Sequence, residues 1–336
     1  MRRWTIMALM AFMVIMAAVA GVAGADENSG APRQELVAYT TLPPETVSIL
    51  SEAYEREEHV RINFVPLPSK ELVNKLYAER AVDLVLTDSG VLDVCAKLDL
   101  FTPYISETND AVKNNFKDKY DRWIGVWYDP VIFCANRDYL RTINEIPDTW
   151  SALANEPKVR IGITDFLAAD ASSNLMFQLI ENFGEAYTYE VLDGIHPKVV
   201  QYTKFLSNPV RQAGMGEADI SIAVESETLR YIQDNYPLKI IYPANGTGYL
   251  LTGVGVATRD SAKNPAATKF ADWLLSDGAQ LALQKNGFYF ISTNPRTLAY
   301  KTFAGKNLVL LDRAESFTQQ QREEFLDRWV KEIRFK

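Results

Sequence analysis

The chain has 336 residues, with 35 basic and 43 acidic side chains and a net charge of −8 at pH 7. A protein this acidic, with no basic tract, is a poor candidate for nucleic acid or anionic lipid, and we expect neither as a partner. The length exceeds the size at which a single hydrophobic core keeps growing, so the chain is predicted to form two lobes.

The first 25 residues have the composition of a cleavable export signal. Two arginines precede an apolar run over 6–22, and Ala23-Gly24-Ala25 supplies the small residues that a signal peptidase needs. We predict cleavage after Ala25, a flexible leader over 26–34 and a periplasmic mature protein. An uncleaved anchor is the alternative, because the run approaches the roughly 20 residues that span a bilayer. The absence of a cysteine after the run excludes a lipoprotein anchor.

Strands and helices alternate in the segment that follows the leader. The runs 36–41, 60–65 and 82–87 are short, apolar and rich in β-branched residues, which is typical of buried strands. The stretches between them carry apolar residues at helical spacing. The resulting order β-α-β-α-β-α predicts a parallel sheet with helices on both faces.

Polar residues lie where two of these strands end. Tyr39, Thr40 and Thr41 close the first strand, and Asp88 and Ser89 follow the third. In such sheets ligands bind at the carboxyl ends of the strands, beside the amino ends of the next helices. Serine and threonine at these positions are more often plain helix caps. Two such ends in one sheet nevertheless favour a shared binding site.

The stretch 122–137 has few helix formers and many β-branched and aromatic residues, so it predicts one long strand or two in tandem. Pro130 cannot donate to a sheet ladder, which suits a place where a strand leaves one sheet and enters another. We therefore predict a hinge between two lobes, with Trp127 and Tyr128 beside a cleft for a small molecule. The alternative is an ordinary buried strand of a single domain.

Four segments in a fixed order carry a family resemblance. They are the strand and turn 82–90, the turn into a helix at 146–153, the Gly-Glu pair at 216–217 before a strand, and the late helix 264–276. Together they resemble the periplasmic solute-binding proteins of ABC transporters. The branch that they resemble contains the ferric-ion-binding proteins and their phosphonate- and sugar-phosphate-binding relatives.

The resemblance implies the type II periplasmic binding protein fold. This is an α/β fold with two lobes, each a mostly parallel sheet flanked by helices, joined by crossover strands. We expect residues 35–130 and 252–295 in lobe 1, and residues 131–251 and 296–336 in lobe 2. The amphipathic tail 315–335 is expected to pack on the outside of a lobe.

The same resemblance implies a function in transport. The protein would be the substrate-binding component of an ABC importer that captures a small polar, anionic solute, such as a phosphonate or sugar phosphate, by hinge closure. Its partners would be the solute and a cognate ABC permease at the inner membrane, and we expect a monomer without a cofactor. A periplasmic sensor subunit that reports to a kinase is an alternative of a different class.

Ferric iron is a second alternative for the ligand. In the ferric-binding branch, the position that resembles 226–228 carries two adjacent tyrosines that coordinate iron. Here Ser226, Glu227 and Thr228 occupy it, and the chain has no Tyr-Tyr pair. Iron binding would therefore need atypical ligands. Glu225 and Glu227 are conceivable replacements, but carboxylates on a helix surface are more often simply solvated.

The sequence carries no nucleophile–base set for catalysis. After the signal the chain holds two histidines, His59 and His196, and no Gly-x-Ser-x-Gly or His-Glu-x-x-His motif. We predict that the protein is not an enzyme. The two cysteines, Cys95 and Cys134, form one disulfide or remain as two buried thiols, and the sequence does not decide between them.

The candidate ligand-binding residues come from both predicted lobes. Free N–H groups near Ser172 and Ser173, before a helix predicted over 174–183, favour an anion, although a capped helix in water is the plain alternative. Aromatic candidates offer an apolar face and, for tyrosine, a polar end, although any of them can belong to the core instead. The full set is Tyr39, Thr40, Thr41, Asp88, Ser89, Trp127, Tyr128, Ser172, Ser173, Glu225 and Tyr249.

Overall fold

The computed structural model of the protein describes residues 35–257, 264–305 and 307–336. The predicted signal peptide, residues 1–25, and the leader, residues 26–34, lie outside the described residues. Within the described ranges, we find no helix with the length and apolar character needed to cross a membrane.

Ten strands occur in the described part of the chain, and they are numbered in chain order. They are β1 (Glu35–Thr40), β2 (Arg61–Pro66), β3 (Leu84–Asp88), β4 (Trp123–Asn136), β5 (Ile161–Thr164), β6 (Val199–Thr203), β7 (Ile220–Val224), β8 (Leu238–Ile241), β9 (Tyr249–Val256) and β10 (Ile291–Ser292).

The α-helices of the described residues are numbered in the same way. They are α1 (Pro44–Glu58), α2 (Ser69–Glu79), α3 (Ser89–Lys97), α4 (Glu107–Asp110), α5 (Arg137–Leu140), α6 (Trp150–Asn155), α7 (Asp170–Phe183), α8 (Glu185–Ile195), α9 (Ser207–Gly214), α10 (Glu225–Gln233), α11 (Pro265–Leu274), α12 (Asp277–Lys285), α13 (Leu298–Phe303) and α14 (Gln319–Trp329). Short 3₁₀ turns lie at Asn114–Phe116 and His196–Lys198, and a π-helical turn lies at Val330–Arg334.

The first sheet has the strand order β2-β1-β3-β9-β4. Strand β1 pairs in parallel with β2 and with β3, while β9 runs antiparallel to β3. The helices α1, α2 and α3 connect and follow these parallel strands, which confirms the predicted β-α-β-α-β-α order. Proline at the first position of α1 needs no donor there, and Val47, Leu50 and Tyr54 bury the apolar face of this helix.

Strand β4 joins the first sheet to a second sheet. Its residues up to Pro130 pair with β9, whereas those from Val131 onward pair with β7 and β8. The second sheet continues through β5 and β6, which lie parallel to each other, and β5 is also parallel to β7. The prediction of one long strand that changes sheets at Pro130 is confirmed.

Two large hydrophobic clusters lie against these sheets. The first core contains, among others, Leu50, Leu86, Trp123 and Phe270. The second core contains, among others, Phe133, Trp150, Ile222 and Trp329. Each fully buried leucine or phenylalanine contributes about 1.5–3 kcal/mol to folding, so either cluster is a substantial core. The exact lobe boundaries stay a prediction.

The two cysteines lie in different hydrophobic clusters. Cys95 belongs to the first core, while Cys134 belongs to a smaller cluster with Val210 and Leu238 on the other face of the second sheet. Both are buried free thiols, so the structure has the second of the two arrangements that the sequence left open. Burial raises the pKa of each thiol to about 12.

Candidate functional site

A cleft of about 580 Å³ is lined by residues attached to both cores. One wall is formed by the segment after β1 and by the starts of α2 and α3. The other wall is formed by the start of α7, the segment 313–315 and Arg322 of α14, and β9 contributes 249–252 between the two walls. This volume lies within the range of about 300–1,000 Å³ that is usual for small-molecule sites.

Four helices begin at this cleft. Pro43 precedes α1, Ser69 begins α2, Ser89 begins α3 and Ala171 lies in the first turn of α7, and all four residues line the cleft. The first turns of α1, α2 and α7 have no side-chain cap. The free N–H groups of a first turn and the helix dipole place partial positive charge at the starts of α1, α2 and α7, whereas the start of α3 is capped by Asp88. The three uncapped helix starts favour an anion beside them.

The ends of β1 and β3 meet at the wall of the cleft. The hydroxyl oxygens of Thr41 and Thr87 lie 2.6 Å apart, and the Thr87 hydroxyl donates to Asp88 at 3.4 Å. A carboxylate oxygen of Asp88 accepts from the N–H of Val91 at 3.1 Å and so caps α3. Thr41, Asp88 and Ser89 all line the cleft. The structure therefore brings these three predicted residues together.

Tyr39 and Thr40 lie one layer deeper than the residues that line the cleft. Both side chains are buried, and the Thr40 hydroxyl accepts a hydrogen bond from the N–H of Leu42 at 3.0 Å. That bond shapes the turn into α1 and leaves Leu42 and Thr41 at the surface of the cleft. These two predicted residues support the wall without lining it.

The predicted aromatic residues also divide into those that line the cleft and those that are buried behind it. Trp127 stacks on Phe290 with ring centroids 5.5 Å apart, and Tyr128 stacks on Phe116 at 4.9 Å. Both are buried in the first core and do not line the cleft. Tyr249 does line the cleft, and its ring meets Tyr128 edge-on at 6.0 Å.

Ser172 and Ser173 lie inside α7, because the helix begins at Asp170 rather than at residue 174 as predicted. The Ser172 hydroxyl donates to the backbone oxygens of Asp165 at 2.7 Å and Ala169 at 2.8 Å. Ser172 lines a small neighbouring pocket beneath the cleft, and Ser173 is buried. Neither serine belongs to the cleft lining, whereas Ala171 of the same turn does.

Glu225 is buried, with 2 % exposure, and is not the solvated surface carboxylate that its sequence position suggests. One of its oxygens accepts from the Tyr242 hydroxyl at 2.8 Å, and the other has no hydrogen-bond partner among the described residues. Burial raises the pKa of Glu225 to about 8. Glu225 is not among the residues that line the cleft.

Asp129 is a second buried carboxyl near this position, next to the point where β4 changes sheets. Its two oxygens accept hydrogen bonds from the backbone N–H and the hydroxyl of Ser226, at the start of α10. Burial raises the pKa of Asp129 as well. We call Asp129, Glu225, Ser226 and Tyr242 the crossover cluster.

Arg322 is a cleft residue that the sequence analysis missed. It donates to the Asn174 side chain at 3.4 Å and to the backbone oxygen of Ala314, and it lies over the Phe177 ring at 4.8 Å. Among the carboxylates whose side chains the structure describes, none forms an ion pair with it. Burial lowers the pKa of Arg322, because a partly buried cation loses hydration.

Arg313 is the second missed cation, and its surroundings differ. It forms ion pairs with Asp93 at 3.2 Å and with Glu315, and it lies over the Trp123 ring at 4.8 Å. The indole N–H of Trp123 donates to the other oxygen of Asp93 at 3.0 Å. Arg313 therefore contacts two carboxylates directly, whereas Asp93 and Glu181 act on Arg322 only from beyond ion-pair distance.

The signal for Arg322 was present in the tail sequence. Phe325 and Trp329 of α14 pack into the second core, and Arg322 precedes them by three and seven residues. Residues at this spacing share one face of a helix. An arginine on the same helix face as two core residues indicates that this face has a role besides packing. The tail helix therefore packs on the second core and also contributes Arg322 to the cleft.

Comparison with known proteins gives one family and several solved folds. Residues 36–289 match the family described as bacterial extracellular solute-binding protein. A protein of Haemophilus influenzae described as uncharacterized is 26% identical over 329 residues, which is 92% of this chain and 94% of that protein.

Two of the similar structures illustrate the fold. The periplasmic binding protein AfuA from Actinobacillus pleuropneumoniae, with fructose-6-phosphate bound, has a TM-score of 0.70 and 24% identity, covering 90% of this chain and 100% of that chain. Iron-bound HitA from Pseudomonas aeruginosa has a TM-score of 0.71 and 17% identity, covering 88% and 98%. At these identities the likeness concerns the fold, and it confirms the predicted two-lobed α/β architecture.

Proposed function

This chain belongs to the bacterial extracellular solute-binding proteins, and from that premise we propose that it captures a small anionic solute, with a phosphate or phosphonate group, for import. Proteins of this family act in the periplasm and deliver a small molecule to an ABC permease. On this proposal the chain works as a monomer, is exported by a cleaved signal over residues 1–25 and catalyses no reaction itself.

The observation that carries the proposal is the state of Arg322. Its guanidinium lines the cleft, is partly buried, and has no ion-pair partner among the described carboxylates. Asp93 and Glu181 act on Arg322 only from beyond ion-pair distance, and a desolvated cation without a direct ion pair costs free energy, which an anionic solute would offset. The planar guanidinium can hold two oxygens of one phosphate group at once.

The helix starts support the same class of solute. The amino ends of α1, α2, α3 and α7 meet in the cleft, and α7 lies on the wall opposite the other three. An anion held between the walls would contact both, so it would bind the closed state more tightly than the open one. The similar fold of AfuA is recorded with fructose-6-phosphate, which is a solute of this kind.

Ferric iron is the second candidate, because HitA is recorded with bound iron. In the residues that the structure describes, no group of three or more histidine, cysteine, aspartate and glutamate side chains is placed to hold a metal ion. Tyr249 lines the cleft as a single tyrosine, without an adjacent one. Both features favour the anionic solute over iron.

Calorimetric titration of the purified mature protein tests the proposal. The solutes are fructose 6-phosphate, fructose, inorganic phosphate and ferric citrate. We expect binding of a phosphate-bearing solute and none of fructose. Because an ion pair with a buried anion is worth several kcal/mol, Arg322→Gln should weaken that binding about 100-fold or more.

The matched control is Arg328→Gln in the same helix. Arg328 is more exposed and pairs with Glu185 at 3.0 Å and Glu332 at 2.9 Å, away from the cleft. It should bind the solute like the unchanged protein, and thermal unfolding checks that both variants fold. Binding of ferric citrate alone, or equal affinities in the Arg322 variant and the unchanged protein, would refute the proposal.

A further inference from the structure

Arg313 connects the two walls of the cleft, and we propose that it is a closure residue that holds the walls together without contacting the solute. Arg313, Asp93 and Trp123 are called the latch below. The inference rests on the proposed function only for its consequence in solute capture. The latch itself is a property of the protein without solute.

The backbone around Arg313 is anchored to the second core. Leu311 and Ala314, on either side of it, are members of that core. The side-chain amide of Asn182 in α7 makes two hydrogen bonds with the backbone of Asp312, each 3.0 Å long. Leu310, three residues before Arg313, packs against the first core, so the chain passes from one core to the other just before the arginine. Because Leu311, Asp312 and Ala314 are held by the second core and by α7, we expect the main chain of Arg313 to follow α7 when the walls move.

The side chain of Arg313 reaches groups that belong to the first core. Asp93 lies in α3, which follows β3, and Trp123 begins β4 and is fully buried in the first core. Arg313 forms an ion pair with one oxygen of Asp93, and the indole N–H of Trp123 donates a hydrogen bond to the other oxygen. The carboxylate is thus held in one orientation, and the guanidinium meets it from the opposite wall.

The latch is shielded from water more than an ordinary surface ion pair. The Arg313 side chain is 10% exposed, and its face is covered by the Trp123 ring. Exposed ion pairs contribute little because water and salt screen them, whereas a shielded charge pair with a cation–π contact contributes more. Separation of the walls would break both contacts at once.

Glu315 makes the latch reversible. It pairs with Arg313 from the same chain segment, so it stays beside the guanidinium when the walls separate. Opening would therefore cost the contacts with Asp93 and Trp123 but would not leave an unpaired cation behind. Arg322 has no such resident carboxylate partner among the described residues, which separates a closure role for Arg313 from a solute role for Arg322.

Pulsed electron paramagnetic resonance on the protein without solute tests the latch. Spin labels are attached at Tyr77→Cys in α2 and Met215→Cys after α9, where the native side chains are 61% and 59% exposed. The native cysteines are buried and their pKa values are raised, so we expect the spin label to react only with the two introduced thiols. We expect Arg313→Gln and Asp93→Asn each to raise the ratio of long to short inter-label distances about ten-fold.

A double-mutant cycle separates the latch from general destabilisation. If the two side chains act through each other, the Arg313→Gln, Asp93→Asn double variant should open no further than either single variant. Arg328→Gln should leave the distances unchanged, and Arg313→Lys, which keeps the charge, should open the cleft only partly. Unchanged distances in both single variants, or effects that add in the double variant, would overturn the inference.

The same design distinguishes a failed latch from a failed solute assignment. The distance measurement contains no solute, so its result does not depend on which solute binds. If the variants open the cleft but no phosphate-bearing solute binds, the latch stands and the proposed function falls. If a phosphate-bearing solute binds and the distances do not respond, the latch falls alone.

Discussion

The latch holds one partly buried carboxyl group and the crossover cluster holds two buried ones, and their surroundings compensate for that burial differently. In the latch, Asp93 faces the guanidinium of Arg313 from the opposite wall. In the crossover cluster, Asp129 and Glu225 accept hydrogen bonds from Ser226 and Tyr242, and neither forms an ion pair within the described residues. One carboxyl has a cation that can move away, whereas the other two have neutral donors close by.

The pKa values follow this difference. Burial raises the pKa of Asp93 to about 6, although Arg313 lowers it again in part. Without a cation, burial raises the pKa of Glu225 to about 8, and that of Asp129 rises as well. Asp93 is therefore ionised at neutral pH and can hold a cation, while Glu225 is mostly protonated. In this protein the contact that we propose to break uses charge, whereas the carboxyl groups inside the crossover cluster are held by neutral hydrogen-bond donors.

The largest effect is expected from Asp129→Ala. Ser226 would lose the acceptor for its buried backbone N–H and for its hydroxyl, which should lower the free energy of unfolding by about 3 kcal/mol. Asp129→Asn keeps one acceptor for the N–H and should cost about 1 kcal/mol. Urea unfolding measures both. Equal losses in the two variants would show that the lost charge, rather than the hydrogen bonds, matters there.

The next effect is a pH dependence of stability from Glu225. Its folded pKa of about 8 lies above the usual 4.5, so the folded protein binds this proton more tightly than the unfolded chain. The stabilisation is complete below pH 4.5 and is lost as the pH rises through 8, by at most about 1.4 kcal/mol per pH unit. Glu225→Gln should reduce that slope in urea unfolding between pH 5 and pH 9, while the raised pKa values of Asp129 and Asp93 keep a smaller slope of the same sign. An unchanged slope after the substitution would contradict the assignment.

A smaller effect is expected on the opening of the latch between pH 7.5 and pH 5. Burial raises the pKa of Asp93 to about 6. Arg313 and Lys97 lower this pKa, and Glu315 raises it. Protonation of Asp93 removes the negative charge that holds Arg313, so the population of long inter-label distances should rise several-fold at pH 5. Asp93→Asn should show long distances at both pH values. An unchanged distance distribution in the parent protein would contradict the role of charge.

The smallest effect concerns the strand ends at the cleft wall. Thr87→Val removes the hydroxyl that lies 2.6 Å from Thr41 and should lower the free energy of unfolding by about 1 kcal/mol. Thr142→Val is the control, since its hydroxyl bonds only to the Tyr139 backbone at an exposed turn, and should cost less than about 0.5 kcal/mol. If the two substitutions lower the free energy of unfolding equally, the hydroxyl pair of Thr41 and Thr87 does not stabilise the fold more than an exposed hydroxyl does.

The architecture could be predicted from the sequence because it depends on local patterns. Apolar runs of strand length alternate with stretches that carry apolar residues at helical spacing, and this order indicates a parallel sheet. Pro130 marks the change of sheets because a missing backbone donor restricts where a residue can lie in a ladder. Both signals are contained within a few neighbouring residues.

The cleft lining could be predicted only in part, because it depends on contacts between distant residues. Thr41, Asp88 and Ser89 line the cleft as expected from strand ends, and Tyr249 lines it as one of the aromatic candidates. Arg322 meets a side chain 148 positions away, which no local pattern indicates.

Two further differences have simple physical reasons. Trp127 is buried in the first core and does not line the cleft, since aromatic residues are common in strands whether or not they bind a ligand. Glu225 is buried because Tyr242, 17 positions later, supplies a donor to it. The charge of Glu225 predicted an exposed side chain. The hydrogen bond from Tyr242, which follows β8, accounts for its burial.

The two separate thiols have a practical consequence for how this protein can be studied. Cys95 lies in the first core and Cys134 in the smaller cluster on the other face of the second sheet, and burial is expected to protect both thiols from reagents. A brief pulse of alkylating reagent during refolding would mark each thiol only until its own surroundings close. Mass spectrometry of the two peptides would then reveal which half becomes protected first, with no engineered label.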